Sequence, residues 1–195
     1  SWDLIMMKRS YLLAVLLVMV SINSLNARVT QIEITETIPV ANGTPFDNVG
    51  AYEKVSGIAY FEIAPDHKRN KTIADIGRVP VNENGNVEFS AEFEILRPTD
   101  PKKASGLLFV ETPSQGQKLS LGLLHDIDAQ EDLNLINENT NLGNGFLFNR
   151  GHTLAWIAWQ GKVREIENRL IVDFPSALEK ENPVRGFILT EFNGR

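Results

Sequence analysis

Two unbroken apolar runs constrain this chain more than anything else in it: Gly106-Leu107-Leu108-Phe109-Val110-Glu111-Thr112 and Thr153-Leu154-Ala155-Trp156-Ile157-Ala158-Trp159. A strand that faces water on one side alternates polar and apolar residues. A continuous run instead predicts a strand covered on both faces, as in a parallel sheet. Between them, Phe146-Leu147-Phe148 is a short apolar patch, and Arg150-Gly151 reads as a helix C-terminus with glycine in the left-handed position. Strand, helix, stop and strand make a βαβ unit, so part of the protein is expected to be covered parallel sheet.

The residues before the first run follow a different rule. Val29 to Ile38 alternates, with Ile32, Ile34 and Ile38 opposite Gln31, Glu33 and Thr35, which predicts a half-buried strand. Tyr52 to Ile63 sets Val55, Ala59, Phe61 and Ile63 against Lys54, Ser56 and Glu62. Val87 to Leu96 is the most regular stretch: Val87, Phe89, Ala91, Phe93 and Ile95 on one side, Glu88, Ser90, Glu92 and Glu94 on the other. With Asn84-Gly85 as a turn before it, this third strand is expected to pair antiparallel and to turn its acidic side to water. The three carboxylates on this face, Glu88, Glu92 and Glu94, project side by side without converging, so they read as a solvated face rather than a metal site. Beyond Gly161, Arg169 to Phe174 and Val184 to Phe192 are two more strand candidates, separated by residues 175–183.

Composition narrows the function classes. A formal net charge of −6 supplies no concentrated positive footprint, so nucleic acid is not expected as a partner. The absence of cysteine removes disulfide scaffolds, thiolate metal sites and a cysteine nucleophile. Met7-Lys8-Arg9-Ser10, the apolar stretch Tyr11 to Val20 and the polar segment ending at Ala27 have the order of a secretory signal peptide over residues 1–27. The expected location is therefore secreted or periplasmic, with membrane contact only through an uncleaved signal segment.

Several phrases resemble the secreted alpha/beta hydrolase domain-containing family of the α/β-hydrolase superfamily. They are Thr44-Pro45-Phe46-Asp47-Asn48-Val49-Gly50-Ala51-Tyr52-Glu53, Gly85-Asn86-Val87-Glu88-Phe89-Ser90-Ala91-Glu92-Phe93, Ile95-Leu96-Arg97-Pro98 and Ala158-Trp159-Gln160-Gly161, and the likeness runs from about Val29 onward. The resemblance implies an α/β fold: an incomplete hydrolase-like sheet with an antiparallel N-terminal β region and a parallel centre, over residues 28–195. It also implies, for the complete form, a serine hydrolase acting on a small-molecule ester or related bond, without a cofactor.

Serine acyl transfer needs a nucleophile elbow, a histidine base, an acid and backbone donors for the oxyanion. No Gly-x-Ser-x-Gly occurs among these 195 residues, so the chain reads as an N-terminal portion that stops before its elbow, with no catalytic triad and no activity of its own. The resemblance places the oxyanion loop after the first apolar strand, which makes Gln115 and Gly116 the oxyanion-hole candidates. Trp159 and Gln160, at the carboxyl end of the second strand, are the substrate-cleft candidates, because open α/β sheets bind ligands there. His152 reads as a residue of the sheet edge. His125, beside Asp126 and Asp128, reads as part of a surface loop rather than as a metal ligand. The alternative from another class is a non-catalytic secreted binding or structural module that retains the front half of the fold.

Overall fold

The computed structural model describes residues 27–127, 132–161 and 168–186. The signal segment, Asp128 and most of the expected strand from Val184 to Phe192 lie outside the described residues. Among the described residues the strands are β1 (Ala27–Pro39), β2 (Tyr52–Ile63), β3 (Val87–Pro98), β4 (Leu108–Glu111), β5 (Thr153–Ile157), β6 (Val172–Asp173), β7 (Leu178–Glu179) and β8 (Asn182–Pro183). The described α-helix is α1 (Ser120–Leu124). Among the described residues no helix is long and apolar enough to cross a membrane.

The described residues fall into two compact units, one within residues 29–61 and 88–176, the other within residues 27–28, 62–87 and 177–186. Within the main sheet the strands run β1-β2-β3-β5-β4, and β6 pairs with β3. β3 lies antiparallel to β5, with Glu94 opposite Trp156 and Leu96 opposite Leu154. β4 lies parallel to β5, Phe109 opposite Leu154 and Glu111 opposite Trp156. The sheet is thus mixed, and the parallel pair expected from the two apolar runs is present.

Three expectations need correction. The parallel pair sits at one end of the described sheet rather than at its centre, and β4 is exposed: Leu108 is 60% and Val110 53% accessible. A continuous apolar run reports that both faces favour cover; it does not supply the cover. β1 is likewise exposed along nearly its whole length, with Ile32 at 62%, so it is not half-buried. The acidic side of β3 faces water only in part: Glu88 is exposed, but Glu94 is 13% accessible. Register puts Glu94 and Leu96 on the same side as Leu154 and Trp156, and this is the side the β4–β5 crossover packs over. Glu94 is tolerated there because Lys118, from the crossover, binds its Oε2, and Lys54 Nζ stands 4.0 Å from Oε1.

The core beneath the crossover is made by Val40, Tyr52, Leu96, Leu121, Ile136, Phe148, Leu154 and Trp156. Phe46, Tyr52, Phe148 and His125 stack edge to face or tilted, with centroids 4.5–5.5 Å apart. The helix anticipated around Phe146 is a single 3₁₀ turn, Phe148–Arg150, stopped as expected by Gly151 at φ +70°. A Cβ there would lie 2.6 Å from the Lys103 carbonyl, so the position needs glycine on two counts.

In the second unit, Glu62 accepts from Arg28 Nε at 2.5 Å and from Asn82 Nδ2 at 3.1 Å. The Asn84-Gly85 turn forms, closed by Asn82 N–H donating to the Asn86 carbonyl at 2.8 Å. Residues 175–183, expected only to separate two strands, hold a short hairpin of their own, β7 and β8, turning through Lys180 and Glu181 at positive φ.

Candidate functional site

The carboxyl ends of β4 and β5 lie side by side because the strands are parallel and in register. That juxtaposition brings together all four residues singled out above. The turn Ser114-Gln115-Gly116-Gln117 leaves β4 with Gln115 at φ +50° and Gly116 at φ +73°, closed by Gln117 N–H donating to the Ser114 carbonyl at 3.0 Å. Two consecutive left-handed residues make a type I′ turn, for which glycine is suited and glutamine is not. The Gln115 N–H donates to Gln160 Oε1 at 2.5 Å, and Trp159 Nε1 donates to the Pro113 carbonyl at 3.1 Å. Gly116 N–H points back to the Pro113 carbonyl at 3.3 Å. Of the two backbone donors, only that of Gln115 is therefore directed outward, and a side-chain oxygen from β5's end occupies it.

Residues that the sequence did not single out hold this turn in place. Arg169 Nη1 donates to the Gln115 carbonyl at 3.2 Å. A Cβ on Gly116 would meet the Leu170 carbonyl at 2.6 Å, so residues 169–170 press directly on the turn. Glu111, the last residue of β4, accepts from the N–H groups of Leu119 and Ser120 at 2.9 and 3.0 Å and from Trp156 Nε1 at 2.7 Å. Burial pushes the Glu111 carboxyl up, but these hydrogen bonds outweigh it and hold the group below its ordinary value. Lys118, its side chain fully buried, also donates to the Asn134 carbonyl at 2.8 Å and lies 5.7 Å from the Trp156 ring. Burial lowers the Lys118 pKa, with the Glu94 carboxylate opposing that shift. A lone lysine after an apolar strand carries no sign of this in sequence, since its partners Glu94, Asn134 and Trp156 are 24, 16 and 38 positions away.

His125 and His152 are both engaged by partners within the fold. His125 does not lie in a surface loop: it is fully buried, its Nδ1 within 3.0 Å of the Leu142 carbonyl, while Leu147 N–H donates to Nε2 at 3.2 Å. These partners fix the neutral tautomer, protonated on Nδ1, and burial holds its pKa below the ordinary value. His152 stands at the opposite, amino end of β5, with Nδ1 2.8 Å from Ser105 Oγ and its carbonyl accepting from Tyr52 Oη at 3.0 Å. Among the described residues no group of three or more histidine or carboxylate side chains is placed to hold a metal ion.

Comparison with protein-family models, with curated proteins and with solved structures finds no match for the chain.

Proposed function

We propose that these residues are the front half of a secreted serine hydrolase of the α/β-hydrolase type, acting in its complete form on carboxylic esters or related bonds. The observation that carries the reading is the outward-directed Gln115 N–H at the carboxyl ends of a parallel strand pair, held at positive φ beside Gly116. A non-glycine residue in the left-handed region is unfavourable by about 1–2 kcal/mol and persists where its surroundings enforce it, as at sites that fix a donor in place. The strand order β3-β5-β4 supports the same reading, because a strand that crosses over and returns inside its predecessor leaves the ligand-binding crevice at the carboxyl ends.

In this mechanism the substrate carbonyl oxygen takes the place of Gln160 Oε1. The Gln115 N–H then stabilises the negative charge that develops on it during acyl transfer. Trp159, half exposed beside the turn, supplies an apolar wall for the acyl or alcohol group. The nucleophile, base and acid are not supplied by these residues, so this chain alone does not turn over substrate.

Two measurements test this. The 195-residue chain, assayed against a panel of activated esters, is expected to show no turnover above buffer. Turnover abolished by a serine-directed inhibitor would overturn the assignment of the missing triad. Reading the messenger RNA beyond the Arg195 codon is expected to reveal an open frame with a Gly-x-Ser-x-Gly; an immediate stop would favour the non-catalytic module instead.

A further inference from the structure

Ser105 and His152 meet at the amino ends of β4 and β5, the end of the strand pair opposite the Gln115 turn. Ser105 Oγ lies 2.8 Å from His152 Nδ1, inside the reach of about 2.6–3.2 Å at which a base takes the proton of a nucleophile. The fold holds both residues in place. The Ser105 N–H donates to the Gly151 carbonyl at 2.8 Å, and the His152 carbonyl accepts from Tyr52 Oη at 3.0 Å. Leu107 N–H donates to Ser105 Oγ at 3.2 Å, so one lone pair of the hydroxyl is taken and its proton remains to be given.

The surroundings suit attack on a carbonyl group. Ser105 and Gly106 are exposed and His152 is half-buried, so a small substrate reaches the hydroxyl from solvent. The N–H of Gly106, the residue after the serine, has no hydrogen-bond partner among the described residues. Backbone N–H groups at and beside a nucleophile are common donors to the oxygen that becomes negative during acyl transfer. Gly106 stands at φ +78°, and a Cβ on it would meet nothing within 4 Å, which leaves open space at that glycine for an acyl group. Among the described residues no carboxylate pairs with His152, so its ring is held through Ser105 alone.

We propose that Ser105 is a reactive serine that is acylated by small activated carboxylic esters, with His152 as its base. The bond from Ser105 Oγ to the carbonyl carbon forms as the hydroxyl proton moves to His152 Nδ1, and Gly106 N–H donates to the carbonyl oxygen as it becomes negative. Collapse then breaks the bond from that carbon to the leaving group, which takes the proton from His152, and Ser105 is left as an ester. The new ester is that of an alkyl alcohol, a much poorer leaving group than an activated one, and no carboxylate orients His152 to drive water onto it. The reaction therefore stops at one acyl group per chain. The pair lies at the wrong end of the strands to be the missing triad, and the proposal holds whether or not the hydrolase reading does.

The test incubates the whole chain with p-nitrophenyl butyrate, follows the nitrophenol released, and maps the acylated serines by peptide mass spectrometry. A burst without continuing turnover is expected, with the butyryl group on Ser105 well ahead of Ser114 and Ser176, which are exposed but are not hydrogen-bonded to a histidine. His152→Gln keeps an acceptor for the Ser105 hydroxyl but cannot take its proton, and should slow acylation of Ser105 about a hundredfold, which a merely structural tie would not show. The comparison of Ser105 with Ser114 within the parent chain needs no variant, so it decides even if that substitution unfolds the protein. The proposal is overturned if the parent acylates Ser105 no faster than Ser114, or if folded His152→Gln acylates it as fast as the parent.

Discussion

At the scale of single residues, backbone conformation and protonation carry the testable content. Gln115 at φ +50° adopts a conformation that glycine takes without strain. Gln115→Gly is therefore expected to raise stability by about 1 kcal/mol in urea denaturation, whereas Gly116→Ala, driven against the Leu170 carbonyl, should lower it by at least as much. His125 predicts a pH dependence. Its folded pKa lies below the unfolded value of 6.5, so the unfolded chain binds the proton first. Stability is then complete above pH 6.5 and falls as pH drops through that value, by at most about 1.4 kcal/mol per pH unit, until the folded form also protonates. Denaturation at pH 7.5 and 5.5 should show the loss, and His125→Gln should reduce it. The burial of His125 was not legible in sequence. Asp126 and Asp128 beside it suggested a wet loop, and the apolar ring that encloses it, Phe148, comes from 23 positions further on.

At the scale of elements, periodicity located strands well and their surroundings poorly. The bounds of β2 match the apolar-polar alternation, and β4 and β5 fall inside the two continuous runs with the parallel pairing those runs implied. Alternation marked the apolar side of β3, where Val87 and Ala91 are buried, but not the cover over Glu94 on the other side, because Glu94 counts as polar until its partner is known. The Glu94–Lys118 pair makes this measurable. Removing Lys118 leaves the largely buried Glu94 with only Lys54, 4.0 Å away, so Lys118→Ala should cost about 3 kcal/mol. A double-mutant cycle with Glu94→Gln should return a large favourable coupling; additive effects would show that the ion pair does not hold the crossover to the sheet. The four candidate residues of the turn were legible only through the resemblance and the rule that ligands gather at strand carboxyl ends. Arg169, which donates to the turn, and Glu111, which ties the end of β4 to α1 and Trp156, gave no local signal.

At the scale of the whole molecule, the described main sheet terminates in two unlike strands, β1 with Val29, Ile32 and Ile34 in water and β4 with Leu108 and Val110 in water. Exposed apolar edges recruit other chains, so the 195-residue protein is expected to associate as its concentration rises, and Val110→Lys should suppress this in sedimentation velocity. The dissimilarity of the two margins decides what form the association takes. Identical patches meeting face to face close into a dimer and stop, but a β1 margin docking on a β4 margin regenerates both at the ends of the product. Growth of this kind has no terminal size: the expected species are a ladder of lengthening filaments visible by electron microscopy, and a single discrete dimer peak would contradict it.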